Sequence, residues 1–222
     1  MLPQFKKSHL LETALTHRSA LNEPDSGTTS KTSNERLEFL GDAVLELAVS
    51  RFLFVKYPDE PEGKLTAYRS ALVRTTTLAE VALQLELGKK LYMSKGEQAT
   101  GGRTNQSLLA DTMEAVIGAI YIDRGFIEAE AFIAEFILPK LPKIKKEHLY
   151  KDPKSSLQEI VQAQSSPTPV YEVVAEIGPD HDKEFTVQVK VGDKVVGQGK
   201  GHSKQQAQQE AAKQALNRFD KN

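Results

Sequence analysis

Cysteine is absent from the 222-residue chain, which excludes a disulfide framework and any metal site built on thiolates. Its absence also fits a reducing compartment. Long apolar runs are missing too: no segment approaches the ~18 consecutive apolar residues of a membrane-spanning helix. The opening MLPQFKKSHLLETALTH interrupts its apolar residues with His9, Glu12 and His17, and it carries neither a secretory h-region nor a small-residue cleavage site. These absences indicate a soluble, cytoplasmic protein with no membrane partner. An excess of positive charge is lacking as well. The chain has 29 Lys+Arg against 30 Asp+Glu, a net charge of −1. Residues 1–150 hold 19 against 20, and residues 151–222 hold 10 against 10. Any phosphate-binding surface must therefore be local, made by cations clustered on one face.

What is present suits two domains. Residues 1–138 read as all-α. Leu37, Leu40, Val44, Leu45 and Ala48 recur at helical spacing, and Pro58, Pro61-Glu62-Gly63, Gly88, Gly101-Gly102 and Gly125 fall at plausible helix ends. Residues 22–33, rich in Ser, Thr, Asn and Gly, read as a flexible loop. Residues 139–153, PKLPKIKKEHLYKDP, read as a linker whose lysines are a solvated tether or phosphate contacts. From residue 154 the period changes. Residues 154–164 form an amphipathic helix, residues 170–177 and 185–191 alternate like half-buried strands, and residues 194–199 supply a third. Gly192-Asp193 is a tight turn. Residues 203–219 are a helix opened by the capping-box pair Ser203 and Gln206. The second domain, residues 154–222, is thus a small α+β unit in the order α-β-β-β-α.

Chemistry concentrates in NERLEFLGDAVL, residues 34–45. At about 100° per residue, Glu35, Glu38 and Asp42 fall on one stripe beside the apolar stripe of Leu37, Leu40, Val44 and Ala48. No Lys or Arg is interleaved to relieve their repulsion. Alone, this stripe reads first as a solvated acidic face and only second as a cation site, and Glu46 on the same stripe reads as a surface residue. A second segment bears on the choice. The run LLADTMEAVIGAIY, residues 108–121, is apolar nearly all round and so should be buried, yet it contains Asp111 and Glu114. Buried carboxylates need a partner or a metal. Either Arg18, Arg36 or Arg74 neutralises them, or they face the first stripe and form an all-oxygen pocket suited to Mg²⁺. Glu62, at a helix start, reads on spacing alone as a dipole-favoured surface acid, and His17 as a structural hydrogen-bonder.

These residues resemble the ribonuclease III family. NERLEFLGDAVL matches its hallmark throughout, with support from Leu15-Thr16-His17-Arg18-Ser19, Glu62-Gly63 with Leu65-Thr66, and Leu109 to Ala115. The second half resembles a double-stranded RNA-binding domain, ending in Gly199-Lys200-Gly201-His202-Ser203-Lys204. The resemblance implies a homodimeric helical nuclease that hydrolyses double-stranded RNA to 5′-phosphate and 3′-hydroxyl ends with short 3′ overhangs, ribosomal and other structured precursors being the expected substrates. It implies metal ligation by Glu38, Asp42, Asp111 and Glu114, with Mg²⁺ as cofactor and Mn²⁺ able to substitute. Asp42 and Glu114 are the pair most depended on, Glu35 and Glu62 lie around the scissile strand, and Arg103 contacts RNA. A catalytically silent duplex-binding protein on the same scaffold is the rival reading, and all six expected acids are present against it.

Duplex RNA presents shape, phosphates and 2′-hydroxyls. Ser155, Gln158, Glu159 and Gln162 on the first helix of the second domain, His181 in the loop between strands, and Ser203 and Lys204 at the last helix N-terminus are the candidate contacts. Gln205 stands where the family usually has a second lysine, which implies weaker phosphate binding, with Lys200, Lys213 and the linker lysines as possible compensation.

Overall fold

The computed structural model describes residues 2–23, 27–150, 152–164, 166–179 and 183–219. The chain divides into two compact units, Met1–Tyr150 and Lys151–Asn222.

The first unit is helical: α1 (Ser8–Ala14), α2 (Glu35–Lys56), α3 (Glu62–Val73), α4 (Thr75–Gln84), the short α5 (Leu87–Lys90) and α6 (Lys95–Ala99), α7 (Gln106–Arg124), α8 (Phe126–Phe136) and α9 (Leu141–Lys146). Its centre is the pairing of α2 with α7, over which α4, α8 and α1 pack. As its composition predicts, α7 buries Leu109, Met113, Val116, Ile117 and Ile120, and α2 meets it with Leu45, Val49 and Leu53. Each large aliphatic side chain buried in this way contributes about 1.5–3 kcal/mol.

Two expectations need correction. The described part of the 22–33 loop is tied down, not free. Glu12 accepts hydrogen bonds from the Thr29 backbone N–H at 2.5 Å, the Thr29 hydroxyl at 2.9 Å and the Thr28 hydroxyl at 3.1 Å, and the Asn34 N–H donates to the Thr16 carbonyl at 2.9 Å. These bonds hold the Glu12 carboxyl below the usual carboxylate range, with the Thr29 N–H the largest cause, and they fix the point from which α2 starts. The second correction concerns residues 139–153. Most of this segment belongs to the first unit: Leu141 and Ile144 are buried in the helical core, the Lys145 ammonium lies 4.1 Å from the Tyr57 ring centre, and Tyr150 packs edge-on against Tyr68 at 4.7 Å. Proline begins a helix readily because its missing N–H would be unbonded there anyway, and lysine stems cover aromatic surface while their charge stays wet. Pro- and Lys-rich composition therefore concealed a packed helix.

The second unit is α10 (Pro153–Ala163), β1 (Val170–Ile177), β2 (Glu184–Val191), β3 (Lys194–Gly201) and α11 (Lys204–Phe219), with the antiparallel sheet ordered β1-β2-β3. A bulge at Val174 interrupts the β1–β2 register. Gly192, at φ +56°, and Asp193 make the two-residue turn between β2 and β3. The core is formed by Leu157, Val161, Val187 and Val189 against Ala207, Ala211, Ala212 and Ala215. At the start of α11 the Ser203 hydroxyl accepts from the Gln206 N–H at 3.1 Å, and the Gln206 side chain accepts from the His202 N–H at 3.0 Å. This is the expected cap with its return bond shifted one residue outward.

Candidate active site

The crossing of α2 and α7 brings together the acids that sequence spacing placed on separate helices. Carboxylate oxygens of Glu38, Asp111 and Glu114 lie within 4.8 Å of one another. All three are partly buried. Desolvation, then the neighbouring Asp111, Glu35 and Asp42 charges, raises the Glu38 carboxyl. Desolvation also raises Asp111, although His17 opposes the shift. Glu114 is pushed up to about 8, by burial first and then by Asp42, Asp111 and Glu38.

None of the three candidate arginines neutralises this group. Among the described residues Arg18 reaches only Glu35, at 3.9 Å. Arg74 donates to the Thr77 hydroxyl and the Leu149 carbonyl. Arg36 is exposed. Among the described residues, no salt bridge involves Glu38, Asp42, Asp111 or Glu114. An uncompensated cluster of hard oxygen donors is what a divalent cation fits.

The remaining acids are placed differently. Asp42 is exposed on α2 and lies outside the three-residue group, although it is the largest charge acting on Glu114. Glu35 sits on the rim of the cleft, accepting from the Ser33 hydroxyl at 2.7 Å. Glu62 begins α3, accepts from the Thr66 hydroxyl at 2.8 Å, and lines a separate cleft with Leu47, Phe54 and Arg69. The acidic cleft, about 390 Å³, is lined by His17, Arg18, Glu35, Glu38, Leu108 and Asp111 among others. Spacing alone makes His17 a structural hydrogen-bonder, and only the fold reveals its place on this wall. Arg103 does not project freely: its guanidinium donates to the carbonyls of Gly88 at 2.7 Å and Leu91 at 3.0 Å, capping the C-terminal end of α5.

In the second unit Ser155, Gln158, Glu159 and Gln162 are exposed on α10, opposite the buried Leu157 and Val161. Ser203 caps α11. His181 lies outside the described residues. Lys204 already has a protein anion: its ammonium is 3.4 Å from Glu176 and 5.5 Å from the Phe185 ring centre. Lys200 pairs with Glu184 at 2.9 Å and Lys213 with Glu210 at 3.9 Å, so these two of the lysines expected to compensate for Gln205 also carry acidic partners.

Comparison with known proteins identifies the family. Residues 7–141 match the family described as Ribonuclease-III-like, and residues 153–218 match the double-stranded RNA binding motif. The chain belongs to the ribonuclease III family. Ribonuclease 3 of Bdellovibrio bacteriovorus is 47% identical over 214 residues, spanning 96% of this chain and 90% of that protein. Ribonuclease 3 of Caldanaerobacter subterraneus is 45% identical over 216 residues, spanning 97% and 93%. A solved nuclease domain of ribonuclease III from Campylobacter jejuni, described for flexibility in its region of dimer formation, superposes with a TM-score of 0.57 at 41% identity, covering 63% of this chain and 92% of that one. As a ribonuclease III family member, the chain is an endoribonuclease, a hydrolase acting on double-stranded RNA. Among the described residues no helix is long and apolar enough to cross a membrane.

Proposed function

We propose that the enzyme hydrolyses duplex RNA with Mg²⁺ held by Glu38, Asp42, Asp111 and Glu114, Mn²⁺ substituting, and leaves 5′-phosphate and 3′-hydroxyl ends with short 3′ overhangs. The observation that carries this reading is the meeting of Glu38, Asp111 and Glu114 without a cationic side chain. Bound there, Mg²⁺ supplies positive charge that acidifies the attacking water and offsets charge on the departing 3′ oxygen. The protein's part is to hold the carboxylates together at the crossing of two rigid helices and to desolvate them, so that a cation replaces a proton on Glu114. Asp42 approaches from the exposed side of the same turn of α2, and Glu35 flanks the strand at the cleft rim. Glu62, in its separate cleft, serves the scissile strand only if a second subunit or the RNA itself brings it near.

A homodimer accounts for the outer face of α2, where Phe39 is 82% and Phe54 73% exposed, while Phe52 and Tyr57 pack against the core. Large exposed aromatic surface of this kind marks association. Duplex binding falls to Ser155, Gln158, Glu159, His181, Ser203 and Lys204, with Arg103 shaping the nuclease wall by capping α5. Cytoplasmic ribosomal and other structured precursor transcripts are the substrates we infer. The test is cleavage of a long RNA duplex in Mg²⁺ and in EDTA, with analysis of product ends. Metal-independent cutting, or 2′,3′-cyclic phosphate ends, refutes the proposal.

A further inference from the structure

The acidic cleft has one wall that is not an acceptor. His17 lines it, and lines the adjoining cleft as well, where it is joined by Ser19, Asn22, Asn105 and Leu108. Its ring is held from one side only. The Ser19 backbone N–H points at Nδ1 from 3.3 Å, and a backbone N–H can only donate, so Nδ1 is an acceptor. The Ser19 hydroxyl, itself accepting from the Ser94 N–H at 3.0 Å, lies 2.8 Å from the same nitrogen. With Nδ1 accepting from the Ser19 N–H, the ring carries its proton on Nε2. Among the described residues that Nε2–H has no hydrogen-bond partner. The ring's position is set further by the main chain, since the His17 N–H donates to the Tyr92 carbonyl at 2.9 Å and the Tyr92 N–H donates to that of Leu15 at 2.8 Å.

We propose that His17 is an RNA-contacting residue of the cutting site, its Nε2–H donating to a non-bridging oxygen of a phosphate next to the scissile one. The role rests on the acidic cleft being the cutting site. Within that cleft Glu35, Glu38 and Asp111 offer only acceptors, which repel a phosphate unless cations intervene. Arg18, the cation on the wall, is drawn toward Glu35. An N–H held in place through Ser19 is suited to placing the strand, because it orients a phosphate oxygen and offers no lone pair to compete for the cation. His17, Arg18 and Leu108 line both clefts, so a strand passing from one cleft to the other crosses the His17 ring. Ser19 is then a positioning residue acting through that ring.

The experiment combines protein variants with duplexes carrying a single methylphosphonate, which removes one acceptor oxygen and its charge, at each phosphate around the cut. Single-turnover cleavage at saturating enzyme is the readout. In the wild type one flanking position should slow cleavage about tenfold, the scale of one hydrogen bond to a charged group. His17→Ala should slow cleavage of the unmodified duplex by a similar factor and lose the penalty at that position alone. Ser19→Ala, which keeps the ring but removes its hydroxyl anchor, should reduce the penalty partway and serves if His17→Ala does not fold. A penalty undiminished at every position in His17→Ala, or in Ser19→Ala where the former is unfolded, overturns the proposal. Glu114→Gln separates the two readings: full cleavage by that variant refutes the cutting site itself, whereas its inactivity beside an unaltered His17 profile refutes only the histidine contact.

Discussion

Gly41 of α2 and Gly118 of α7 touch backbone to backbone at the helix crossing. A methyl group on Gly41 would lie 1.8 Å from the Glu114 carbonyl oxygen, and one on Gly118 would lie 2.2 Å from that of Leu37. The acids flank this point: Glu38 lies one turn before Gly41, and Glu114 one turn before Gly118. Close approach of the two helix backbones is what lets short carboxylates from different helices share one cation site.

Gly41→Ala should therefore push α2 from α7. Alanine gains about 1 kcal/mol of helix propensity over glycine, but overpacking at a backbone contact costs roughly 1–3 kcal/mol or more. The expected result is a lower thermal midpoint together with lost cation binding. A stabilised variant with unchanged metal affinity would show that the crossing is not what assembles the site.

A proton on Glu114 gives a pH dependence of definite sign. Its folded-state value, about 8, lies above the ordinary 4.5, so the folded state holds a proton that the unfolded chain releases. Its contribution to stability without metal is complete below about pH 4.5 and is lost as pH rises through about 8. In chelator, the thermal midpoint should fall from pH 5 to 9, more steeply for the wild type than for Glu114→Gln. Mg²⁺ affinity should rise over the same range as the proton is displaced. Parallel midpoint curves for the two proteins would exclude a raised Glu114.

How much of this was legible beforehand follows from what spacing can encode. The i,i+3 and i,i+4 placement of Glu35, Glu38 and Asp42, and the pair Asp111 and Glu114 within an apolar run, state which face of its own helix each acid occupies. They do not state the crossing angle, so the exposed Asp42 and the separate cleft of Glu62 were invisible. The resemblance gives Arg103 as an RNA contact, and nothing local reveals that α5 ends beside it with carbonyls for it to cap. Leu141 and Ile144 stand at i,i+3, a helical signal masked by the prolines and lysines around them.

Glu176 and Lys204 supply a test in the RNA-binding unit. Their exposed ion pair is worth little to folding, but a phosphate approaching the start of α11 must displace it. Glu176→Gln should tighten duplex binding a few-fold and steepen the salt dependence by up to about one unit of log affinity per log salt, with the thermal midpoint nearly unchanged. Lys204→Gln should do the reverse in affinity. Equal affinities across all three proteins would mean that this lysine does not meet phosphate.

The placement of α9 makes the last prediction. If residues 139–150 were a tether, ending the nuclease unit after residue 138 or after residue 150 would give equally stable proteins. Because Leu141 and Ile144 are 2% and 3% exposed, and Tyr150 packs on Tyr68, the shorter protein should lose several kcal/mol, since removing even one such aliphatic side chain costs about 2–5 kcal/mol. Ile144→Ala in the full chain should reproduce part of that loss in urea denaturation. Lys146→Ala, at an exposed position on the same helix, should not. Indistinguishable urea midpoints for the two truncations would return the segment to the role of linker.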